Sequence, residues 1–346
     1  MTFDDVFTYE HMLVAAKECI KNVKWKRSTQ MFWANRYSTI SKVRRQLIEG
    51  TWRSKGFHTF IINERGKTRK IQAVHITERV VQKCLRKFCL NPIIIPKLIY
   101  TNSASLPGKG THFALKQFES QLRHHLMKYG VSGGVLSMDI HNYFGSIDHD
   151  ILKAQLNKII DDSKLLKLSE YFVDCFDGNK GIGLGSEVSQ IYGLLYLNDF
   201  DHFVKEQLHI EEYGRYNDDI YLIHNNLEHL KYCYKILSKM LIDDYRLEVN
   251  KKKTCLHAIG KESIVFLKKR FIVTKTKKIL VKPVQNVFSK RRRTLKKQFN
   301  LLKDGKILVK SIKDSYVSWR SSISKTNAKK SLHSMDALFN KFIMEA

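Results

Sequence analysis

Four prolines and 17 glycines in 346 residues leave little room for a disordered chain, and 43% of the residues are hydrophobic. That length holds two or three domains with real cores. No apolar run is long enough to span a bilayer, and the opening Met1-Thr2-Phe3-Asp4-Asp5 carries no signal-peptide pattern, so no membrane partner is expected. None of the six cysteines (Cys19, Cys84, Cys89, Cys175, Cys233, Cys255) stands in a CxxC pair, which points to reduced thiols and a cytoplasmic location. The 14 histidines show no HExxH and no paired metal spacing. Internal repeats and low-complexity linkers are missing too. Pro107-Gly108-Lys109-Gly110-Thr111 lacks the full GxxxxGK[ST] spacing, which excludes a P-loop nucleotide hydrolase. Acid is the scarcest class of charge: 33 Asp and Glu stand against 61 Lys and Arg, for a net charge of +28. An excess of that size, without a membrane segment, points to nucleic acid.

What acid there is stands out by its placement. Tyr213-Gly214-Arg215-Tyr216-Asn217-Asp218-Asp219-Ile220-Tyr221-Leu222-Ile223 reads as two short strands around a tight turn. Two adjacent carboxylates at the tip repel each other unless a cation neutralises them, and a hard divalent ion such as Mg2+ is the natural partner. Val135 to Ile140 reads as a buried strand ending in Asp139, and a carboxylate there is expensive without a partner or a function.

The rest of the chain supplies cations and backbone. Residues 1–55 read as basic helices in which Lys21, Lys24, Lys26, Arg27, Lys42, Arg44 and Arg45 alternate with Trp25, Phe32 and Trp33. Phe57 to Val74 reads as a hairpin turning at Asn63 to Gly66, with Lys67 and Arg69 on one face of the returning strand, able to meet one anion such as a triphosphate. A helix is expected from Thr77, as its N-cap, to Leu90, and another from Phe113 to Tyr129. Asp148 is expected to cap a helix from His149 to Ile160. Gly181 to Gln190 is a glycine-rich loop opening one long apolar helix to Gln207, with Ser189 and Gln190 on its first turn. Further expectations are a helix from Leu227 to Asp243, a strand pair entered at Leu247 to Thr254, one strand from Ile264 to Val273, and a basic helical tail from Ser289 carrying Arg291, Arg292, Arg293, Lys296 and Lys297.

Asp139, Asp218 and Asp219 would form a carboxylate cluster on adjacent strands, as phosphoryl transfer by two metal ions about 4 Å apart requires. Here the sequence resembles the reverse transcriptases, particularly the bacterial branch akin to group II intron enzymes. Lys67-Thr-Arg-Lys-Ile71 with Arg79-Val-Val-Gln82 resembles the fingers motif, Asp139 to His149 the first palm motif, and Leu184-Gly-Ser-Glu-Val-Ser-Gln190 the loop-helix motif. Tyr216-Asn-Asp-Asp219 resembles the YxDD box, Lys253-Thr254 the following lysine motif, Val265-Phe-Leu267 the primer grip, and Tyr316 to Phe342 the thumb.

That resemblance implies an α+β right-hand polymerase fold: an N-terminal extension (1–55), fingers with part of the palm (56–134), palm (135–280) and thumb (281–346). It implies that Asp139, Asp218, Asp219 and the Ile140 carbonyl bind two Mg2+ ions. It makes Phe144 the sugar-discriminating ring, Lys67 and Arg69 the triphosphate ligands, Gln190 a neighbour of the nucleotide or template base, and Lys253 the proton donor to pyrophosphate. The partners implied are dNTPs, a primer or nascent DNA, an RNA template in the form of a dedicated noncoding RNA, and an accessory protein. The Ser189-Gln190 ending of the loop resembles diversity-generating retroelements and defence-associated lineages rather than intron enzymes. No HNH-like or zinc-ligand pattern follows the thumb, which reads against a self-sufficient mobile intron enzyme. Antiphage defence is the favoured role, with diversity generation as its alternative. Asn217, Glu187, Leu106 and Lys268 depart from the family pattern, and Glu187 is expected to alter base selection. An RNA-dependent RNA polymerase is disfavoured by Phe144, and a non-catalytic RNA-binding or splicing-helper protein by the presence of all three acids.

Overall fold

Thr2 and Asp5 start the chain with a reciprocal cap, each side chain accepting the other's backbone N–H, and Thr8 caps the next helix by accepting from His11 N–H. Such caps open the helices α1 (Phe3–Val6) and α2 (Tyr9–Ile20), which are followed by α3 (Arg27–Ala34) and α4 (Arg36–Ile48). The computed structural model describes residues 1–64, 67–183 and 185–344, without the side chains of Glu64, Lys67 and Arg69. β1 (Phe57–Glu64) and β2 (Lys67–Val74) form the expected hairpin in register Phe57↔Val74 to Glu64↔Lys67, and residues 65–66 of its turn lie outside the described residues.

α5 (Ile76–Leu85) begins earlier than expected, because His75 rather than Thr77 is its N-cap, and it stops at Leu85. A π-helical turn (Arg86–Leu90) follows, then α6 (Asn91–Ile94), whose second residue is proline. After α7 (Thr111–Tyr129) come β3 (Gly134–Asp139), α8 (Tyr143–Ser146), α9 (His149–Asn157) and α10 (Ser163–Asp174). Asp148 caps α9 as expected, accepting from Asp150 and Ile151 N–H.

The single helix expected beyond Gln190 is two: α11 (Ser189–Tyr196) and α12 (Asn198–Glu206), broken at Leu197. The Leu194 carbonyl, which would take the Asn198 N–H in an unbroken helix, accepts from Arg215 Nη2 at 3.0 Å. β4 (Glu212–Tyr216), β5 (Asp219–His224) and α13 (Leu227–Asp243) follow. Residues 247–254 make turns and an isolated bridge, Ile140↔Val249, so strand structure starts only at β6 (Cys255–Ala258).

The strand expected from Ile264 to Val273 is a hairpin of β7 (Ile264–Phe266) and β8 (Lys269–Val273). Leu267 and Lys268 lie between them at φ 44° and 64°, the pattern of a primed turn. β9 (Ile279–Pro283), α14 (Val287–Lys303), α15 (Val309–Ser324) and α16 (Lys329–Met344) complete the chain. The sheets have the orders β1-β2, β4-β5-β3-β6 and β7-β8-β9.

Two compact units divide the chain. One holds residues 1–117, 138–222 and 231–255; its core includes Met12, Cys84, Phe172, Tyr192 and Phe200, and α2 packs on α5. The other holds residues 118–137, 223–230 and 256–346; Phe118 packs against Phe266 and Phe271, and α14, α15 and α16 share a core of Leu295, Phe299, Ile312, Tyr316 and Met335. Among the described residues no helix is long and apolar enough to cross a membrane.

Candidate active site

β3 lies beside β5, so the end of one strand meets the turn that opens the other. The Ile140 N–H donates to the Asp218 carbonyl at 3.2 Å, joining the residue after Asp139 to the acidic turn. Asn217 and Asp218 stand between β4 and β5, and Asn217 is at φ 55°, a left-handed conformation that Asn tolerates better than the branched residues do. Asp139 is buried, while Asp218 and Asp219 are half-buried.

Asp139 is held from the far side by the turn of Lys253 and Thr254, in which the sequence did not single out Asn250. Asn250 donates its N–H to the Asp139 carbonyl at 2.7 Å and its Nδ2 to Oδ1 at 2.8 Å, and the Asp139 N–H donates to Thr254 Oγ1 at 3.3 Å. Lys253 Nζ donates to both carboxylate oxygens, at 2.7 and 2.5 Å. Burial pulls the Lys253 ammonium down, but the hydrogen bond to Asp139 and the charges of Asp139, Asp218 and Asp219 outweigh it and raise its pKa. The lysine is therefore a protonated cation in the field of all three acids.

That placement is the test of fit for a metal. Among the described residues no three His, Cys, Asp or Glu stand close enough together to hold an ion as placed. The three acids nonetheless already stabilise one cation, the Lys253 ammonium, and their oxygen donors suit a hard dication. Cys255, two residues beyond Lys253, is exposed, whereas Cys19, Cys84, Cys89 and Cys233 are buried.

The glycine-rich loop is fastened beside the segment after β3: Ile182 N–H donates to Phe144 O at 2.8 Å and Gly181 N–H to Ile147 O at 2.7 Å. Gly185, at φ 117°, runs so close to β2 that a Cβ would meet Gln72 O at 2.8 Å. Phe144 is half-buried against α11, where a Cβ on Gly193 would meet its ring at 2.9 Å. Ser189 is buried, and Gln190 is exposed with Oε1 accepting from Arg86 Nη1 at 3.1 Å. Leu184 lies outside the described residues.

Glu187 turns toward α5 and the residue just past it. Its carboxylate lies 3.0 Å from Arg79 Nε, 2.7 Å from Lys83 Nζ and 3.8 Å from Arg86 Nη1. Gln82 Oε1 accepts from both Ser186 Oγ and Glu187 N–H at 3.0 Å. Burial raises the Glu187 pKa, but Lys83 and Arg79 overcome it and the carboxyl sits below its ordinary value. The residue expected to alter base selection thus fastens the loop to the helix.

A family model described as reverse transcriptase (RNA-dependent DNA polymerase) matches residues 61–271, more than half of the chain. The chain belongs to the reverse transcriptase family. Among solved structures it is similar to an apo telomerase from Candida tropicalis truncated from its C-terminal domain, 16% identical over 66% of this chain and 55% of that one, with a TM-score of 0.50. It is also similar to a telomerase from Candida albicans in complex with a TWJ fragment of telomeric RNA, 14% identical over 91% of this chain and 62% of that one, with a TM-score of 0.52. The chain thus spans less than two thirds of either. No curated protein sequence matches it. Its fold is the right-hand polymerase fold of the reverse transcriptases, with mixed helices and sheets.

Within this chain the remaining site residues fall out unevenly. Lys67 and Arg69 pair with Glu64 and Ile62 along the hairpin backbone, and their side chains lie outside the described residues. Arg292, Arg293, Lys296 and Lys297 are exposed on α14. Arg291, grouped with them on composition, is 7% exposed. It shares the inward stripe of Leu295 and Phe299 at helical spacing, and its guanidinium lies over the Tyr316 and Trp319 rings at 5.5 and 5.7 Å. Arg291 is therefore part of the bundle core, unlike the exposed cations expected beside it.

One further residue borders the acidic turn. Arg215, one position before the YxDD box, is fully buried against Asp201. The pattern held a signal, since a guanidinium inside an apolar strand requires a buried acid somewhere.

Proposed function

We propose that this chain is an RNA-directed DNA polymerase that extends a 3′-OH with dNTPs on an RNA template. The observation that supports it best is the union of Asp139 with the Asp218-Asp219 turn around a single cationic centre. Two Mg2+ ions held by Asp139, Asp218, Asp219 and the Ile140 carbonyl would supply Lewis-acid activation of the attacking hydroxyl and of the phosphate. The chain's own groups do the rest. Lys253, kept charged by the acids, donates a proton to the leaving pyrophosphate. The Phe144 ring, braced on Gly193, excludes a ribose 2′-OH. Lys67 and Arg69 hold the triphosphate, and Gln190, steadied by Arg86, lies near the incoming nucleotide or the template base. Arg292, Arg293, Lys296 and Lys297 contact duplex phosphates.

In this reading residues 1–55 form an extension, 56–134 fingers, 135–280 palm and 281–346 thumb, and the enzyme works in the cytoplasm. The Ser189-Gln190 loop ending supports a domesticated bacterial enzyme of the group II intron-like branch, acting in antiphage defence with a dedicated noncoding RNA and an accessory protein. The same ending also suits a diversity-generating element, and product sequence separates the two. The test is to purify the protein with its RNA, add Mg2+ and dNTPs or rNTPs, and sequence the product, with Asp218→Ala/Asp219→Ala as control. DNA made from dNTPs only by the intact acids is the expected result. A short repeat marks defence and an error-rich copy marks diversification. RNA bound without synthesis refutes the polymerase.

A further inference from the structure

Asp201 on α12 is ringed by donors inside the catalytic unit. Arg215 Nε donates to its two oxygens at 2.8 and 3.0 Å, Arg215 Nη2 to Oδ2 at 2.7 Å, Tyr213 Oη to Oδ1 at 2.5 Å and Asn102 Nδ2 to Oδ2 at 3.3 Å. Neither Arg215 nor Asp201 has any exposed side-chain surface. A buried ion pair of this sort seldom adds stability over apolar residues of the same volume, so net stability is not what best accounts for it.

Its geometry does. Beyond Asp201, the guanidinium donates from Nη2 to Leu194 O at 3.0 Å and from Nη1 to Asn217 O at 3.4 Å, and the Arg215 carbonyl accepts from Ser103 N–H at 3.1 Å. One planar fork, locked by a carboxylate, thus joins α11 and α12 to the residue directly before Asp218. Asn217 lies in the left-handed region between the end of β4 and the start of β5.

We propose that Arg215 is a positioning residue for the catalytic turn: pinned by Asp201, it holds the Asn217 carbonyl, sets Asp218 and Asp219 against Asp139, and ties that turn to the helix that carries Gln190. The inference rests on the polymerase reading for its consequence in catalysis, but its geometric core is tested by metal binding alone.

The experiment replaces the pair with apolar residues, Arg215→Met with Asp201→Leu, and compares it with Arg215→Lys, which keeps the opposing charges but has no fork to reach Asn217. Mn2+ affinity is read by electron paramagnetic resonance on the full chain, with Asp218→Ala/Asp219→Ala as baseline. In both variants the expected result is a cooperative thermal transition and RNA affinity within about twofold of wild type, with Mn2+ affinity about 10–100-fold weaker. Polymerase kcat falls by a similar factor, while KM for dNTP changes by no more than about threefold. Wild-type Mn2+ affinity and kcat in either folded variant overturn the proposal. Loss of folding in both makes the pair a stability element and overturns it as well. If only the apolar pair fails to fold, Arg215→Lys decides. A wild type that binds Mn2+ through Asp218 and Asp219 but makes no DNA refutes the polymerase and leaves the positioning standing. A wild type that binds no Mn2+ removes both.

Discussion

Lys253 and Arg291 are cations that a basic chain offers in quantity, and the fold uses them in opposite ways. Lys253 is half exposed and lies on a buried acid; Arg291 is buried among rings with its Nε and Nη2 lacking hydrogen-bond partners. Removing the ammonium in Lys253→Met should lower stability in chelator by about 1–2 kcal/mol, less than for a fully buried pair because the lysine is partly solvated. Millimolar Mg2+ should then raise the melting temperature of the variant more than that of wild type, since no ammonium competes for Asp139. Differential scanning fluorimetry with and without chelator measures both, and equal Mg2+ shifts would contradict competition. Arg291→Met should leave stability unchanged or raise it by about 1 kcal/mol or more, with RNA affinity intact. Arg292→Ala with Arg293→Ala should instead weaken RNA binding and lower the salt slope by about one for each phosphate that is no longer neutralised. Weakened RNA binding in the folded Arg291 variant would return that residue to the interface.

At the scale of elements, the clamp between Glu187 and α5 carries a pH signature. The Glu187 pKa is depressed on folding, so its stabilising contribution is complete above about pH 4.5, the ordinary value, and is lost as pH falls through the lower folded value. Glu187→Gln should therefore be less stable than wild type by about 1–3 kcal/mol at pH 7, with the gap closing below pH 4.5. Chemical denaturation from pH 3 to 7 measures it, and a pH-independent gap would exclude the carboxylate's charge as the cause. Elements with their own local signal were legible in the sequence: the β4–β5 turn from Asn217 and Asp218, α13 from its periodicity, the start of α9 from the Asp148 cap. The β7–β8 turn was not, because Leu267 and Lys268 are not residues that advertise positive φ. Nor was the break between α11 and α12, which involves a guanidinium 21 residues from Leu194. The three acids could be named from local pattern; Asn250 and Asp201 could not, because their importance lies in partners distant in sequence, while Thr254 entered only through the lysine motif and Arg215 showed only as a cation in an apolar strand.

For the whole molecule the dominant fact is charge. A net +28 is spread over both units, and the N-terminal segment adds exposed rings such as Trp25 and Tyr37, with Arg36 packed on Trp33 and Tyr37 at 4.5 and 4.3 Å. Binding to RNA by such a surface releases counterions, so log affinity should fall linearly and steeply with log salt, by about 0.7 per phosphate neutralised on a single strand. Fluorescence anisotropy from 50 to 500 mM salt checks it, and a flat titration would contradict the electrostatic footprint. The same surface makes affinity without specificity the default, so any selection of one RNA would have to come from shape and unpaired bases.

The distribution of thiols turns an accident of composition into a tool. Burial raises the pKa of Cys19 and Cys89 to about 12 and of Cys175 and Cys233 to about 11, which leaves them almost without thiolate near neutrality. A maleimide dye will find Cys255 first, two residues from Lys253. A fluorophore or spin label there would sit at the start of β6, directly after the turn that grips Asp139, and would report in real time when the ammonium leaves that carboxylate, without any mutation of the natural chain.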